Sequence, residues 1–91
     1  MAVHTLQVTL TGSAQQITAN NVNAFALTFQ NNAAAVMRVG DSTVTASKGY
    51  SLAATGGTLT VPLLQPTQLN KWYVIGTAAQ LLDVTYDDGG L

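Results

Sequence analysis

Apolar side chains recur at every second position in three stretches of the chain. Leu6, Val8 and Leu10 alternate with Thr5, Gln7 and Thr9; Phe25, Leu27 and Phe29 alternate with Ala24, Ala26 and Thr28; Leu82, Val84 and Tyr86 alternate with Leu81, Asp83 and Thr85. Successive side chains of a strand point to opposite faces, so each stretch predicts a strand with one face inward. Shorter β-rich runs at 35–39, 43–45, 58–61 and 72–75 extend the pattern. Between them lie Thr11-Gly12-Ser13, Asn20-Asn21, Asn31-Asn32, Gly40-Asp41-Ser42, Gly56-Gly57 and Gly76-Thr77. Such clusters turn the chain, through a glycine at positive φ or a short polar side chain bonded to its own backbone. Strand signals spaced by roughly eight to twelve residues predict an all-β fold, a compact antiparallel β-sandwich or jelly-roll-like domain of about seven or eight short strands.

Proline and alanine refine this outline. Pro62 lacks an N–H for a ladder and is expected to close one strand, and Pro66 keeps the link to Trp72 irregular. Residues 63–70 then form the longest loop, with a single helical turn near 66–70. Ala33-Ala34-Ala35 is good helix material, but Asn31-Asn32 precedes it and Val36, Val39, Thr43 and Val44 follow. A hairpin of 25–30 with 35–39 is therefore expected there. The predicted core is Phe25, Leu27, Phe29, Val36, Leu59, Val61, Val74, Leu82 and Val84, with Phe25 and Phe29 sharing the inward face of Leu27. Without repeats or linkers, 1–91 reads as one sandwich domain in which 87–91 is a short flexible C-terminal tail.

Composition changes the functional picture. Only 8% of the 91 residues are charged and 47% are hydrophobic, against about a quarter charged in an ordinary soluble domain. A neutral surface rich in Thr, Asn, Gln and Ser does little to repel copies of itself or to steer a charged ligand, and it suits a subunit packed among neighbours. The net charge is -1, and Arg38, Lys48 and Lys71 are the only basic residues. They leave no footprint for a phosphate backbone, so no nucleic-acid partner is expected. Domains below roughly 70–80 residues recruit disulfides, metals or oligomerisation; this slightly longer chain has no Cys and one His, which leaves self-association. No apolar run approaches the roughly 20 residues that span a bilayer, and no membrane partner is expected. Met1-Ala2-Val3-His4-Thr5 carries neither a positive n-region nor an apolar h-region, so synthesis in the cytoplasm without a cleaved signal is the expectation.

The inventory of reactive groups is short. His4 lies in an expected edge strand near the terminus, with nothing to orient it as a base, and no catalytic residue is assigned. Asp41, Asp83, Asp87 and Asp88 are all the acids. Asp87-Asp88-Gly89-Gly90 is like the start of an oxygen-ligand loop, but calcium takes about six to eight oxygens and no acid follows. Gly56-Gly57 lacks the lysine and strand-to-helix junction of a phosphate cradle. No enzyme, metal or cofactor is expected. Candidate interface residues are His4, Arg38, Asp41, Tyr50, Trp72 and Tyr73. Arg38 and Asp41 flank a turn, either as an ion pair across it or as contacts to a neighbouring subunit. Of Trp72 and Tyr73, adjacent on a strand, one should enter the core and the other reach the surface. The outward ring suits a carbohydrate platform or an interface anchor; no acid is near it in sequence, which favours the interface.

The segment Ala35-Val36-Met37-Arg38-Val39-Gly40-Asp41-Ser42-Thr43-Val44-Thr45-Ala46-Ser47-Lys48-Gly49 carries a resemblance. So do Gly56-Gly57-Thr58-Leu59, Trp72-Tyr73-Val74-Ile75-Gly76-Thr77-Ala78, Asp83-Val84-Thr85-Tyr86 and, at the front, Val8-Thr9-Leu10-Thr11-Gly12. Together they resemble small β-sandwich virion proteins of tailed bacteriophages. The resemblance implies a head decoration or cement subunit, commonly a homotrimer seated where major capsid protein subunits meet, on the virion surface after assembly in the host cytoplasm. Similar sandwiches serve as tail, baseplate or head-fibre components. The shared positions are turn glycines and core apolars, so no binding residue carries over. A carbohydrate-binding host-attachment module is the alternative of a different class.

Overall fold

The computed structural model describes residues 3–88, with the backbone alone for 62–66. Its strands are β1 (Val3–Thr9), β2 (Gln15–Gln16), β3 (Asn23–Asn31), β4 (Met37–Gly40), β5 (Tyr50–Leu52), β6 (Gly57–Gln68), β7 (Tyr73–Ile75) and β8 (Leu81–Asp87). A 3-10 turn, Leu69–Lys71, joins β6 to β7. They form two four-stranded sheets, ordered β1-β8-β3-β6 and β2-β7-β4-β5. The pairs β1·β8, β2·β7, β3·β6 and β4·β5 are all antiparallel. The chain is thus one long ribbon folded back at the β4–β5 connection and rolled into two layers, the topology of an eight-stranded jelly roll.

The registers show why the core falls where it does. Leu6, Val84, Phe29 and Leu59 stand in one row across the first sheet, and the row above it holds Val8, Leu82 and Asn31. In the second sheet Val74 stands beside Val39, and Met37 beside Leu52. These rows meet in one buried cluster with Leu10, Ile17, Ala24, Leu27 and Leu69. Phe29 crosses the layers to the Trp72 ring, centroids 5.2 Å apart and tilted by 49°.

Leu27, Phe29, Val74, Leu82 and Val84 are buried as expected, and Leu59 and Val61 are partly buried against them. Phe25 and Val36 are not core residues: they are 41% and 52% exposed. Phe25 sits in a register irregularity where Ala24 faces Thr67 and Ala26 already faces Pro62. The inward positions there are Ala24 and Leu27, so the period slips by one and turns the ring outward. Val36 lies between the bend at 33–35 and β4 and belongs to no ladder.

The expected hairpin of 25–30 with 35–39 does not form, because β3 and β4 lie in different sheets and β3 pairs β6 and β8 instead. Residues 43–45 are turn rather than strand, with an isolated bridge between Thr45 and Lys48. Pro62 does not end its strand: β6 continues to Gln68, its prolines tolerated on the edge of the sheet. The helical turn near 66–70 appears as Leu69–Lys71. Asp87 closes β8 opposite Val3 and Ala26, so this residue of the expected 87–91 tail is part of the sheet; 89–91 lie outside the described residues.

The Gly56-Gly57 turn links the two sheets instead of closing a hairpin. Gly56 has φ +117° and open space around it, whereas a Cβ on Gly57 would collide with the backbone N and O of Ala53. Gly57→Ala is expected to cost about 1–3 kcal/mol through the forced backbone shift, read as a lower midpoint in urea.

Candidate functional site

The outward phase of the first sheet is built from hydroxyls and amides. Thr5, Thr85, Thr28 and Thr60 form one row across all four strands, and Gln7, Asp83, Gln30 and Thr58 form the next. β-Branched threonine suits a pleated strand, and opposed threonines can hydrogen-bond across it. Asp83 is already held, accepting from Gln7 Nε2 at 3.1 Å and from Asn32 Nδ2 at 2.8 Å. Val3, Asp87 and Ala26 bound the face at one end, and Thr9 and Leu81 at the other. No lysine or arginine stands in these rows. The signal for this face was present in the sequence as threonines and glutamines in the phase opposite the apolar residues.

The six candidate residues are dispersed. His4 lies on the edge strand β1, its ring stacked on Tyr86 at 5.2 Å and its Nε2 2.7 Å from Asp88 Oδ2. Tyr50 is 51% exposed on the other sheet's edge strand β5. Tyr73 is partly buried between Gln16 and Gly40 in register. Arg38 makes no ion pair with Asp41; its Nε donates to Ala46 O at 3.0 Å and its Nη1 to Gly49 O at 2.9 Å, clamping the loop at the tip of the ribbon. Asp41 serves the same loop. Its Oδ1 accepts from the Thr43 N–H at 2.9 Å and from the Thr43 hydroxyl, and Lys48 Nζ donates to that hydroxyl oxygen at 2.9 Å. The Thr43 hydroxyl first, then its N–H and the Lys48 charge, hold the Asp41 carboxyl below its ordinary pKa.

One pair does converge. Trp72 follows the 3-10 turn, packs inward on Phe29 and donates from Nε1 to Thr67 Oγ1 at 3.2 Å. Its remaining surface lines an open pocket of about 400 Å³ shared with Gly40, Asp41, Thr67 and Lys71. The fold therefore brings Asp41 to the lining of the same pocket as a tryptophan that has no acid near it in sequence. On the same turn, Asn70 Oδ1 is buried without a hydrogen-bond partner.

Among the described residues no group of three His, Cys, Asp or Glu side chains could hold a metal ion, and no helix is long and apolar enough to cross a membrane. No family model, curated protein or solved structure matches the chain. The class that fold and surface define is an all-β jelly roll with a hydroxyl- and amide-rich outer sheet face.

Proposed function

We propose that the protein is a tailed-bacteriophage head decoration, or cement, subunit that binds the outer capsid surface as a homotrimer and stabilises contacts between major capsid protein subunits. The observation that carries this reading is the threonine and glutamine face of the β1-β8-β3-β6 sheet, in whose two rows Asp83 is the single charge and is already bonded by Gln7 and Asn32, together with the sequence resemblance to virion sandwiches. A face without cations, whose one carboxylate is already bonded, binds chiefly by burial and neutral hydrogen bonds. Each copy contributes modestly, and trivalent attachment raises the effective concentration so that release requires several contacts to break together. A tail, baseplate or head-fibre position on the virion is the neighbouring reading, separated from this one by locating the protein on purified particles.

Such contacts are barely screened by salt. The Debye length falls from about 10 Å at 0.1 M to about 3 Å at 1 M, so decorated particles washed across this range are expected to retain the protein. Decorated shells are expected to melt above stripped ones, and light scattering of the free protein to give the mass of three chains. Loss of most copies at high salt would refute the neutral interface. Equal melting of the two shells would refute the cement role.

A further inference from the structure

We infer that the pocket beside Trp72 is a binding site for a neutral pyranose ring, with the indole as its apolar platform and the Asp41 carboxylate as acceptor for its hydroxyls. A sugar ring presents an apolar C–H face and a rim of hydroxyls, and it needs both an aromatic surface and a fixed hydrogen-bonding group. The pocket supplies the two together. Its volume of about 400 Å³ lies within the range of small-molecule sites, about 300–1,000 Å³.

Both groups are held before any ligand arrives. The indole is fixed by its Thr67 hydrogen bond and by Phe29 behind it. Asp41 is oriented through Oδ1 by Thr43, while its Oδ2 accepts no hydrogen bond among the described residues. Preorganised groups lose little freedom on binding. Lys71 also lines the pocket and its ammonium, with no hydrogen bond or ion pair among the described residues, adds a donor.

Charge selects the class of ligand. Asp41 and Lys71 bring one negative and one positive side chain to the lining, so neither an anion nor a cation is favoured by both. An apolar occupant would desolvate both groups without replacing their hydrogen bonds. A neutral polyhydroxyl ring can donate to the carboxylate and accept from the ammonium while covering the indole. This inference is independent of the cement reading, since the pocket lies outside the threonine rows of the first sheet.

Trp72 is the sole tryptophan, so tryptophan fluorescence arises from this one position. The experiment titrates the intact protein with the methyl glycosides of glucose, galactose, mannose and N-acetylglucosamine, from micromolar to high millimolar concentration. Saturation-transfer NMR on the sugar protons provides a second readout. A saturable change with at least one glycoside is expected in both. Asp41→Asn should weaken it about tenfold, by loss of charge-assisted hydrogen bonds, and Lys71→Ala, on an exposed side chain, should weaken it to a smaller extent. Thr5→Lys, on the outer sheet face, should leave sugar binding unchanged while impairing capsid retention, so the two sites fail separately. Absence of a saturable response to every glycoside in both readouts overturns the proposal, and so does undiminished binding in a folded Asp41→Asn protein. If Asp41→Asn lowers the melting temperature, Lys71→Ala decides, and undiminished binding there overturns the proposal.

Discussion

Phe29→Ala is expected to lower the unfolding free energy by about 3–5 kcal/mol, the cost of removing a fully buried phenylalanine. The ring has no exposed surface, stands in the row of Leu6, Val84 and Leu59, and supports Trp72 from the other layer. Its loss opens a cavity at the point where the two sheets touch, and rigid ladders on both sides limit how far the walls can close. Domains have about 5–15 kcal/mol in total, so the variant should stand near its unfolding threshold. Phe25→Ala, four residues earlier on the same strand, removes a ring that is 41% exposed and should cost about 1 kcal/mol, well below the loss at Phe29. Urea denaturation of the two variants side by side makes the measurement. Equal midpoints would show that the inward phase of β3 is the wrong one.

Asn31→Ala is expected to cost about 3 kcal/mol or more, although asparagine is a surface residue in most proteins. Here it is fully buried at the end of β3. Its Nδ2 donates to Ala35 O at 2.8 Å and to Leu52 O at 3.1 Å, and its Oδ1 accepts from the Ala33 N–H at 2.9 Å. The side chain thereby satisfies the backbone where the chain leaves the first sheet for the second, and it ties that crossing to β5. Truncation strands one buried backbone group, Leu52 O, and two part-buried ones, Ala35 O and the Ala33 N–H, with about 1–3 kcal/mol for each group left unpaired away from water. Asn31→Asp should be at least as damaging, since a carboxylate cannot donate to either carbonyl. Asn32→Ala is the control: its side chain is exposed and bonds only Gln30 and Asp83. A midpoint in Asn31→Ala as high as in Asn32→Ala would refute the structural role assigned to this residue.

These two residues mark how far local pattern reaches. Alternation along β1, β3 and β8 places Leu27, Phe29, Leu82 and Val84 inward with no knowledge of what they pack against, because the period of a strand belongs to each strand by itself. The same property leaves a threonine and glutamine face outward. What each strand pairs with is not local. Residues 25–30 and 35–39 satisfy every short-range condition for a hairpin, yet the ribbon rolls so that β3 meets β6 and β8, whose partner residues lie far along the chain. β2 and β5, of two and three residues, are too short to show a period and exist through their neighbours' ladders. Phe25 follows the alternation in sequence and breaks it in space, since an irregularity on the partner strand shifts the phase by one residue. Asn31 reads as a turn residue, and only the crossing between layers buries it. Likewise Asp41 and Trp72 are distant in sequence, and the pocket they share exists because the end of β4 pairs with the start of β7, Gly40 opposite Tyr73. Side-chain periodicity and turn chemistry determined the fold class and most of the core; long-range pairing, which costs chain entropy and is decided by the packing of whole sheets, determined the register, the exceptions and the candidate site.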